Sequence, residues 1–229
     1  MLSAGLPQGT VPRLERPGPL RERVYEALLD LIATRALLPG QHLVESELAG
    51  HLGVSRQPVR EALQRLNTEG WVDLRPAQGA FVHRPTQGEA DQLLSVRILL
   101  EAEAARLAAA GSAGTDSGTG IAELEALCAG GERSVADGDA DAAVAANAAF
   151  HAKIVELAGN PVLAGLAAQV DRRARWYYAT VAVRRGRESW AEHRAVLAAI
   201  VQRDEARASE LMRGHTEHTR TTYLHGAPN

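Results

Sequence analysis

The order of helix and turn signals over residues 20–84 restricts the fold of this chain more strongly than any other part of the sequence. Apolar residues at helical spacing predict three helices, over residues 20–34, 45–52 and 55–69. Gly53 favours the left-handed conformation that ends a helix, and Ser55 is a good N-cap for the helix that follows. The second and third helices are therefore joined by a tight turn.

A β-hairpin is predicted directly after the third helix. The runs WVDLR (71–75) and AFVHR (80–84) have the composition of strands, and PAQG (76–79) has that of the turn between them. Helices, a turn and a hairpin in this order form the layout of a winged helix-turn-helix. We therefore expect residues 20–85 to be a winged helix-turn-helix domain that binds DNA.

The third predicted helix has one apolar face and one polar face. Its polar face carries Arg56, Gln57, Arg60 and Gln64. Arg56 and Arg60 lie one turn apart, so both guanidinium groups can enter a major groove. Ser55 can offer its hydroxyl and a backbone N–H to a phosphate, and Gly79 lets the wing turn tightly near the DNA. The alternative is an amphipathic surface helix whose arginines are only solvated.

These residues resemble a known family of bacterial regulators. Residues 20–85 are similar to the winged helix-turn-helix of GntR-type regulators, whose consensus resembles LAxxLGVSRxPVREALxxLxxEGLV followed by a glycine-containing wing. The resemblance implies that Arg56 and Arg60 contact operator bases and phosphates and that Gly79 lies at the wing tip. Many relatives carry Arg at the start of the second helix, where this chain has Ser46, so the resemblance does not supply the operator sequence.

Almost all of residues 88–225 are predicted to be helical. The predicted segments are 88–110, 120–137, 139–158, 161–183, 187–203 and 204–224. They are separated by glycines and by Asn160-Pro161, a strong stop-and-restart signal. We therefore predict a mostly α fold in which the winged helix-turn-helix is followed by a six-helix antiparallel bundle. Residues 1–19 contain four prolines and are predicted to be a flexible tail.

Three histidines lie on the core-facing stripes of three different predicted helices: His151, His193 and His215. A neutral imidazole in an apolar interior needs a partner, and three that converge can share a divalent metal ion such as Zn, Ni, Mn or Fe. His218, one turn beyond His215, is an alternative ligand that we expect to lie outside the cluster. A single inward histidine is more often a hydrogen-bonded core residue, so histidines that only pack are the alternative interpretation.

Residues 88–225 resemble the FCD ligand-binding domain of the FadR subfamily of GntR regulators, in its VanR-like branch. The resemblance is carried by residues 96–109 and 147–163 and by the segments around His193 and His215. It implies an effector-binding domain whose metal ligands are Asn147, His151, His193 and His215. The common first ligand is Asp, and the amide oxygen of Asn is a weaker ligand than a carboxylate. Such domains bind small organic acids, and Arg97 matches the arginine expected to clamp the carboxylate, the alternative being an ion pair with Glu101.

Composition limits where and how this chain can act. The net charge is −3, so DNA binding must come from placed arginines rather than from bulk charge. Cys128 is the only cysteine and cannot form an internal disulfide, which fits a reducing cytoplasm. No apolar run is long enough to span a membrane, so we expect no membrane partner.

We therefore predict a cytoplasmic, ligand-responsive transcriptional regulator and not an enzyme. It would be a repressor that a small carboxylate effector releases from double-stranded operator DNA, and the resemblance also implies a homodimer. One alternative is a metal-dependent hydrolytic enzyme, which the lack of an HExxH run and of an obvious nucleophile–base pair disfavours. The other is a DNA-binding scaffold with no effector.

Overall fold

The chain divides between Arg84 and Pro85 into two compact units. The structure, a computed structural model, describes residues 19–111 and 117–226. The tail predicted over residues 1–19 lies outside the described residues except for Pro19.

The first unit contains three helices and a small sheet among its described residues. Helices α1, α2 and α3 span Leu20–Ala33, Glu45–Leu52 and Arg56–Thr68, and strands β1, β2 and β3 span His42–Leu43, Val72–Arg75 and Gly79–Val82. The sheet is antiparallel in the order β1-β3-β2. The predicted bounds of α2 are confirmed, and so is Gly53, whose φ of 66° makes it a left-handed C-cap. Strand β1 was not predicted, because two residues are too short to show alternation.

The core of this unit orients α3. The side chains of Val59 and Leu66 are completely buried, as are Leu28 and Ile32 of α1. Burying an aliphatic side chain of this size contributes about 1.5–3 kcal/mol, so these contacts hold the apolar stripe of α3 inward. The polar face of the same helix is thereby left in solvent.

The second unit consists of long helices. Helices α4 to α8 span Gln87–Ala110, Ser117–Asp137, Ala140–Leu157, Pro161–Val201 and Glu205–Gly226. Local caps define their starts: Thr86 and Glu89 form a capping box at α4, and Asn160 caps α7 ahead of Pro161. The predicted restart at Asn160-Pro161 is confirmed.

The helix count of this unit differs from the prediction. Residues 161–183 and 187–203 were expected to be separate helices, but α7 runs through Gly186 as one helix, so the described part of the unit has five helices instead of six. Gly186 keeps a φ of +29° within it. A glycine inside a helix costs only about 0.5–1 kcal/mol relative to Ala. Packing of the buried neighbours Arg185, Ser189 and Trp190 offsets that cost. The broader prediction, a mostly α chain with an N-terminal winged helix-turn-helix and a helical C-terminal domain, is confirmed.

The interior of the second unit is mostly apolar but also contains a group of buried polar and charged side chains. Phe150, Leu124, Val196 and Met212 are completely buried and belong to one core cluster. Buried polar and charged side chains lie in the same unit: Arg97, Glu101, His151, Arg185, Ser189, His193, His215 and Thr216. Charged side chains are seldom buried unless they are paired, so this group marks a site. Within ranges 19–111 and 117–226, no helix combines the length and the apolar character needed to cross a membrane.

Candidate functional site

The polar face of α3 is open to solvent, as predicted. Ser55, Arg56, Gln57, Arg60 and Gln64 are all exposed. Arg56, Arg60 and Gln64 line a depression whose opposite wall is the wing, including Gly79. Ser55 and Gln57 lie outside that lining, and Gln57 donates a hydrogen bond to Glu61 at 2.9 Å. The structure thus gathers four of the six predicted DNA-binding residues around one concave surface.

Ser55 stands at the N-cap of α3 without capping it. Its backbone is extended and its side chain makes no capping hydrogen bond. An N-cap oxygen usually accepts from the N–H of the second or third helical residue, and the third residue here is Pro58, which has no N–H. The hydroxyl is therefore not committed to the helix, which fits the predicted phosphate contact.

The wing depends on a glycine and presents an arginine. Gly79 has a φ of 98°, and a Cβ at this position would lie 2.9 Å from Nε2 of His42. The Arg75 guanidinium lies 4.2 Å from the centre of the Phe81 ring, which in turn stacks on His42 at 4.7 Å. Arg75 lines the same depression as Arg56. Sequence reasoning missed Arg75, although an arginine beside the wing turn was a usable signal.

A carboxylate links the two arginines of α3. Glu45, the first residue of α2, accepts hydrogen bonds from Nε and Nη2 of Arg60 at 3.0 and 2.9 Å and from Nη2 of Arg56 at 3.2 Å. The hydrogen bond from Arg60 is the largest cause that holds the pKa of Glu45 below its usual value, so the side chain is ionised. Sequence analysis gave no indication of this contact, because it joins residues 11 and 15 positions apart.

The three predicted histidines converge in the second unit. His151 of α6, His193 of α7 and His215 of α8 are all buried, and the ligand atoms of the three side chains lie within 4.8 Å of one another. Nε2 of His215 is 3.2 Å from Nε2 of His193 and 3.2 Å from Nε2 of His151. Two nitrogens that bind one ion at about 2.0–2.1 Å lie roughly 3.0–3.4 Å apart. The spacing therefore suits a shared metal ion.

Two of the histidines are backed by a carboxylate and an arginine. Nδ1 of His151 lies 3.1 Å from Oε2 of Glu101, whose Oε1 accepts a hydrogen bond from Arg97 at 2.6 Å. On the other side, Nδ1 of His215 lies 2.8 Å from Oε2 of Glu192, which also accepts from Arg185. A carboxylate behind the outer nitrogen is the usual way in which proteins orient metal-binding histidines.

Both carboxylates are ionised. Burial alone would raise the pKa of Glu101, but the charge of Arg97 and the contacts with Arg97 and His151 outweigh it and hold the pKa at about 2. Burial of Glu192 is likewise outweighed, mainly by the hydrogen bonds from His215 and Arg185, and the pKa of Glu192 is about 2. Since an ionised carboxylate only accepts hydrogen bonds, His215 carries its proton on Nδ1 and donates it to Glu192.

This proton placement leaves Nε2 of His215 as a lone pair inside the cluster. Burial lowers the pKa of His215 to about 4 and the pKa of His193 well below its usual value, so both rings are neutral near pH 7. With its proton on Nδ1, His215 directs an unprotonated Nε2 toward Nε2 of His151 and Nε2 of His193, each 3.2 Å away. Neutral imidazole nitrogens are ligands of divalent ions, and one ion between the three Nε2 atoms could bind all of them. The donor set therefore fits a metal.

Aromatic rings position the third histidine. His193 stacks on Phe150 with ring centres 4.2 Å apart and meets the Trp190 ring edge-on at 4.7 Å. Among the described residues, its Nδ1 has no hydrogen-bond partner. The ring is thus held by packing, while its Nε2 faces the cluster.

The remaining predicted site residues lie near this cluster. Asn147 is half-buried on α6, one turn before His151, so it stays a predicted ligand. Arg97 forms the ion pair with Glu101, but the pair is buried rather than on the surface, and Nη2 of Arg97 lies 3.9 Å from Asp171. The His218 side chain is 65% exposed and contacts Glu192 instead of the other histidines.

Comparison with protein families accounts for both units. The FCD domain family matches residues 92–218, more than half of the chain, and the gntR family of bacterial regulatory proteins matches residues 20–82. The chain belongs to the GntR family. It is a member that carries an FCD domain, as the sequence resemblance implied.

Curated relatives of this GntR-family chain are bacterial regulators. An HTH-type regulator from the TAR-I ttuE-ttuC' intergenic region of Agrobacterium vitis is 38% identical over 85 residues, 37% of this chain and 50% of that protein. The HTH-type transcriptional regulator McbR of Escherichia coli is 30% identical over 148 residues, 65% of each chain. The repressor RspR of the same species is 33% identical over 91 residues, 40% of each. Several of these matches span half or less of the relative's length.

Solved structures of GntR regulators share the fold. Escherichia coli McbR/YncC has a TM-score of 0.73 at 24% identity, covering 91% of this chain and 98% of that one. A GntR regulator from Rhodococcus sp. RHA1 has a TM-score of 0.74 at 23% identity, covering 91% and 99%. The matched families and relatives are regulators and not enzymes, so the hydrolytic alternative is set aside.

Proposed function

We propose that this GntR-family chain is a metal-dependent, effector-responsive transcriptional regulator that acts in the cytoplasm as a homodimer. Its winged helix-turn-helix binds double-stranded operator DNA, and its helical unit binds a divalent metal ion and a small organic acid. The acid releases a repressor from the operator. The convergence of three buried Nε2 atoms in the helical unit is the observation that carries this proposal.

The DNA-reading role is supported by exposure and charge. Arg56 and Arg60 extend from the first two turns of α3, with side chains 63% and 50% exposed. An arginine at such a position can make paired hydrogen bonds to a guanine edge. Ser55 and Gln57 flank them at the helix start, and the wing glycine Gly79 allows a close approach to the DNA backbone.

The metal-binding role is supported by the chemistry of the donor set. His151, His193 and His215 supply neutral imidazole nitrogens, and Asn147 would supply an amide oxygen from the same face of α6 as His151. Imidazole suits Zn, Ni and Fe, and Mn also accepts oxygen ligands. When bound, the ion would supply a positive charge that a carboxylate effector can coordinate.

Arg97 is the residue that we expect to bind the carboxylate of the effector. Its guanidinium already pairs with Glu101, and Glu101 contacts His151. Glu101 therefore lies between Arg97 and the histidine cluster. An incoming carboxylate would share Arg97 with Glu101 or displace Glu101 from it, and displacement would disturb the contact between Glu101 of α4 and His151 of α6. An acid that binds only one of the two arrangements can change affinity for DNA.

Metal binding is tested by titrating the metal-free protein with Zn²⁺ in a calorimeter. We expect saturable binding by the wild type and a loss of affinity of more than about tenfold in His151→Ala. His51→Ala is the control on an exposed histidine of α2, outside the helical unit, and should bind as the wild type does. If wild type and His151→Ala bind equally weakly, the metal proposal is wrong and the scaffold without an effector is favoured.

DNA reading is tested on genomic fragments enriched by the full-length protein. Arg56→Ala and Arg60→Ala should each weaken specific binding by roughly 1–3 kcal/mol if the contact is to a base. Arg207→Ala, an exposed arginine on α8, is the control and should leave binding unchanged. Unchanged affinity in both α3 variants would remove them from the interface. Carboxylic acids are then screened for release of the bound fragment.

A further inference from the structure

We infer that Glu45 is a positioning residue for DNA recognition: it holds Arg56 and Arg60 as an oriented pair and so raises the preference for specific over generic DNA. This inference rests on the proposed role of those two arginines in reading DNA.

The hydrogen bonds between Glu45 and the two arginines constrain the orientation of the guanidinium groups. Glu45 binds Arg60 through two parallel hydrogen bonds at 3.0 and 2.9 Å, and its second oxygen also accepts from Arg56 at 3.2 Å. Paired bonds of this kind fix the plane of a guanidinium as well as its position. Arg60 uses Nε and one hydrogen of Nη2 for Glu45, so Nη1 and the other hydrogen of Nη2 can still donate outward.

Glu45 is less exposed than the two arginines that it contacts. The carboxylate side chain is 26% exposed, whereas those of Arg56 and Arg60 are 63% and 50% exposed. Glu45 also stands in the first turn of α2, where the helix dipole favours a negative charge. Its position is set by the backbone of α2, which is anchored by the buried Ala49. The carboxylate therefore contacts both arginines in the absence of DNA.

Removing the carboxylate would have two opposite consequences. Two like charges one helical turn apart repel each other, so the arginines would separate and sample more rotamers. At the same time, the local net charge would rise from one positive charge to two. Generic binding follows charge and counterion release, whereas base recognition needs a fixed hydrogen-bonding direction. Loss of Glu45 should therefore favour generic DNA at the expense of specific DNA.

The test measures a ratio of affinities with the full-length chain. The probes are the genomic fragment most enriched by the wild type and a shuffled duplex of the same length and composition, both titrated by fluorescence anisotropy at several salt concentrations. Glu45→Gln removes the charge, and Glu45→Asp keeps the charge but shortens the side chain. Glu47→Gln makes the same charge change on an exposed residue of the same helix and serves as the control. Circular dichroism and thermal unfolding check that each variant is folded.

We expect the ratio of specific to generic affinity to fall roughly three- to tenfold in Glu45→Gln and also to fall in Glu45→Asp. In Glu47→Gln the ratio should change by less than about twofold, with both affinities rising together. If Glu45→Gln behaves as Glu47→Gln does and Glu45→Asp matches the wild type, Glu45 acts only as a distant charge and the inference is wrong. If the wild type enriches no fragment, the proposed function fails instead.

Discussion

Two neighbouring glycines of α5 should respond in opposite ways to the same substitution. A Cβ at Gly131 would overlap atoms of the Trp190 ring, whereas at Gly130 the nearest atom is Nη2 of Arg133, 3.9 Å away. Trp190 is itself buried and lies edge-on to His193. Gly131→Ala therefore displaces the Trp190 ring, which packs against the predicted metal ligand His193. Gly130→Ala leaves this ring in place.

The magnitude follows from two opposing effects. Replacing a helical glycine with Ala raises the free energy of unfolding by about 1 kcal/mol. Gly130→Ala should show all or part of this increase. Overpacking a filled core costs about 1–3 kcal/mol or more, and a large buried ring cannot yield easily. Both variants share the helical gain, so the two should differ by the overpacking cost, about 1–3 kcal/mol in the free energy of unfolding. For a chain of this length that is roughly 2–12 °C in melting temperature.

The assay is thermal and urea unfolding of the wild type and both variants, followed by Zn²⁺ titration of the folded proteins. Gly131→Ala should also bind the metal more weakly than Gly130→Ala, because displacement of Trp190 moves the His193 ring. Equal stability of the two variants, within about 0.5 kcal/mol, would show that the close packing of α5 on Trp190 is not present in the protein.

Two further outcomes are expected. Arg75→Ala should weaken binding to specific and generic DNA alike and reduce the slope of log affinity against log salt by about 1, measured by anisotropy titration; an unchanged slope would place Arg75 away from phosphates. Burial and the hydrogen bond to Glu69 raise the pKa of Tyr25 to about 12, above the value near 10 of an unfolded tyrosine. The free energy of unfolding should be highest below pH 10 and fall by roughly 1–2 kcal/mol as the pH rises to 12, and Tyr25→Phe, measured by urea unfolding, should lack this loss.

Much of the winged helix-turn-helix could be predicted because its signals are local. Gly53, Ser55 and the apolar stripe of α3 each report the conformation of their own neighbourhood, and α2 was predicted with its observed bounds. The convergence of His151, His193 and His215 was also foreseeable, since each lies on the inward stripe of its own helix. Gly186 misled the prediction, because the cost of a glycine within a helix is smaller than the packing around it.

The contacts that complete the sites join residues far apart in the chain. Glu45 reaches α3 from another helix, and Glu192 approaches His215 across 23 positions. Arg75 is supported by Phe81 only once β2 and β3 pair. No local pattern encodes such contacts, because a side chain's partner depends on how the elements pack. Residue type and spacing thus sufficed to predict Arg56, Arg60 and the three histidines as site residues, but not Arg75. The orientation of Arg60, His151 and His215 follows from the carboxylates that the packed helices bring beside them, and that of His193 from the aromatic rings around it.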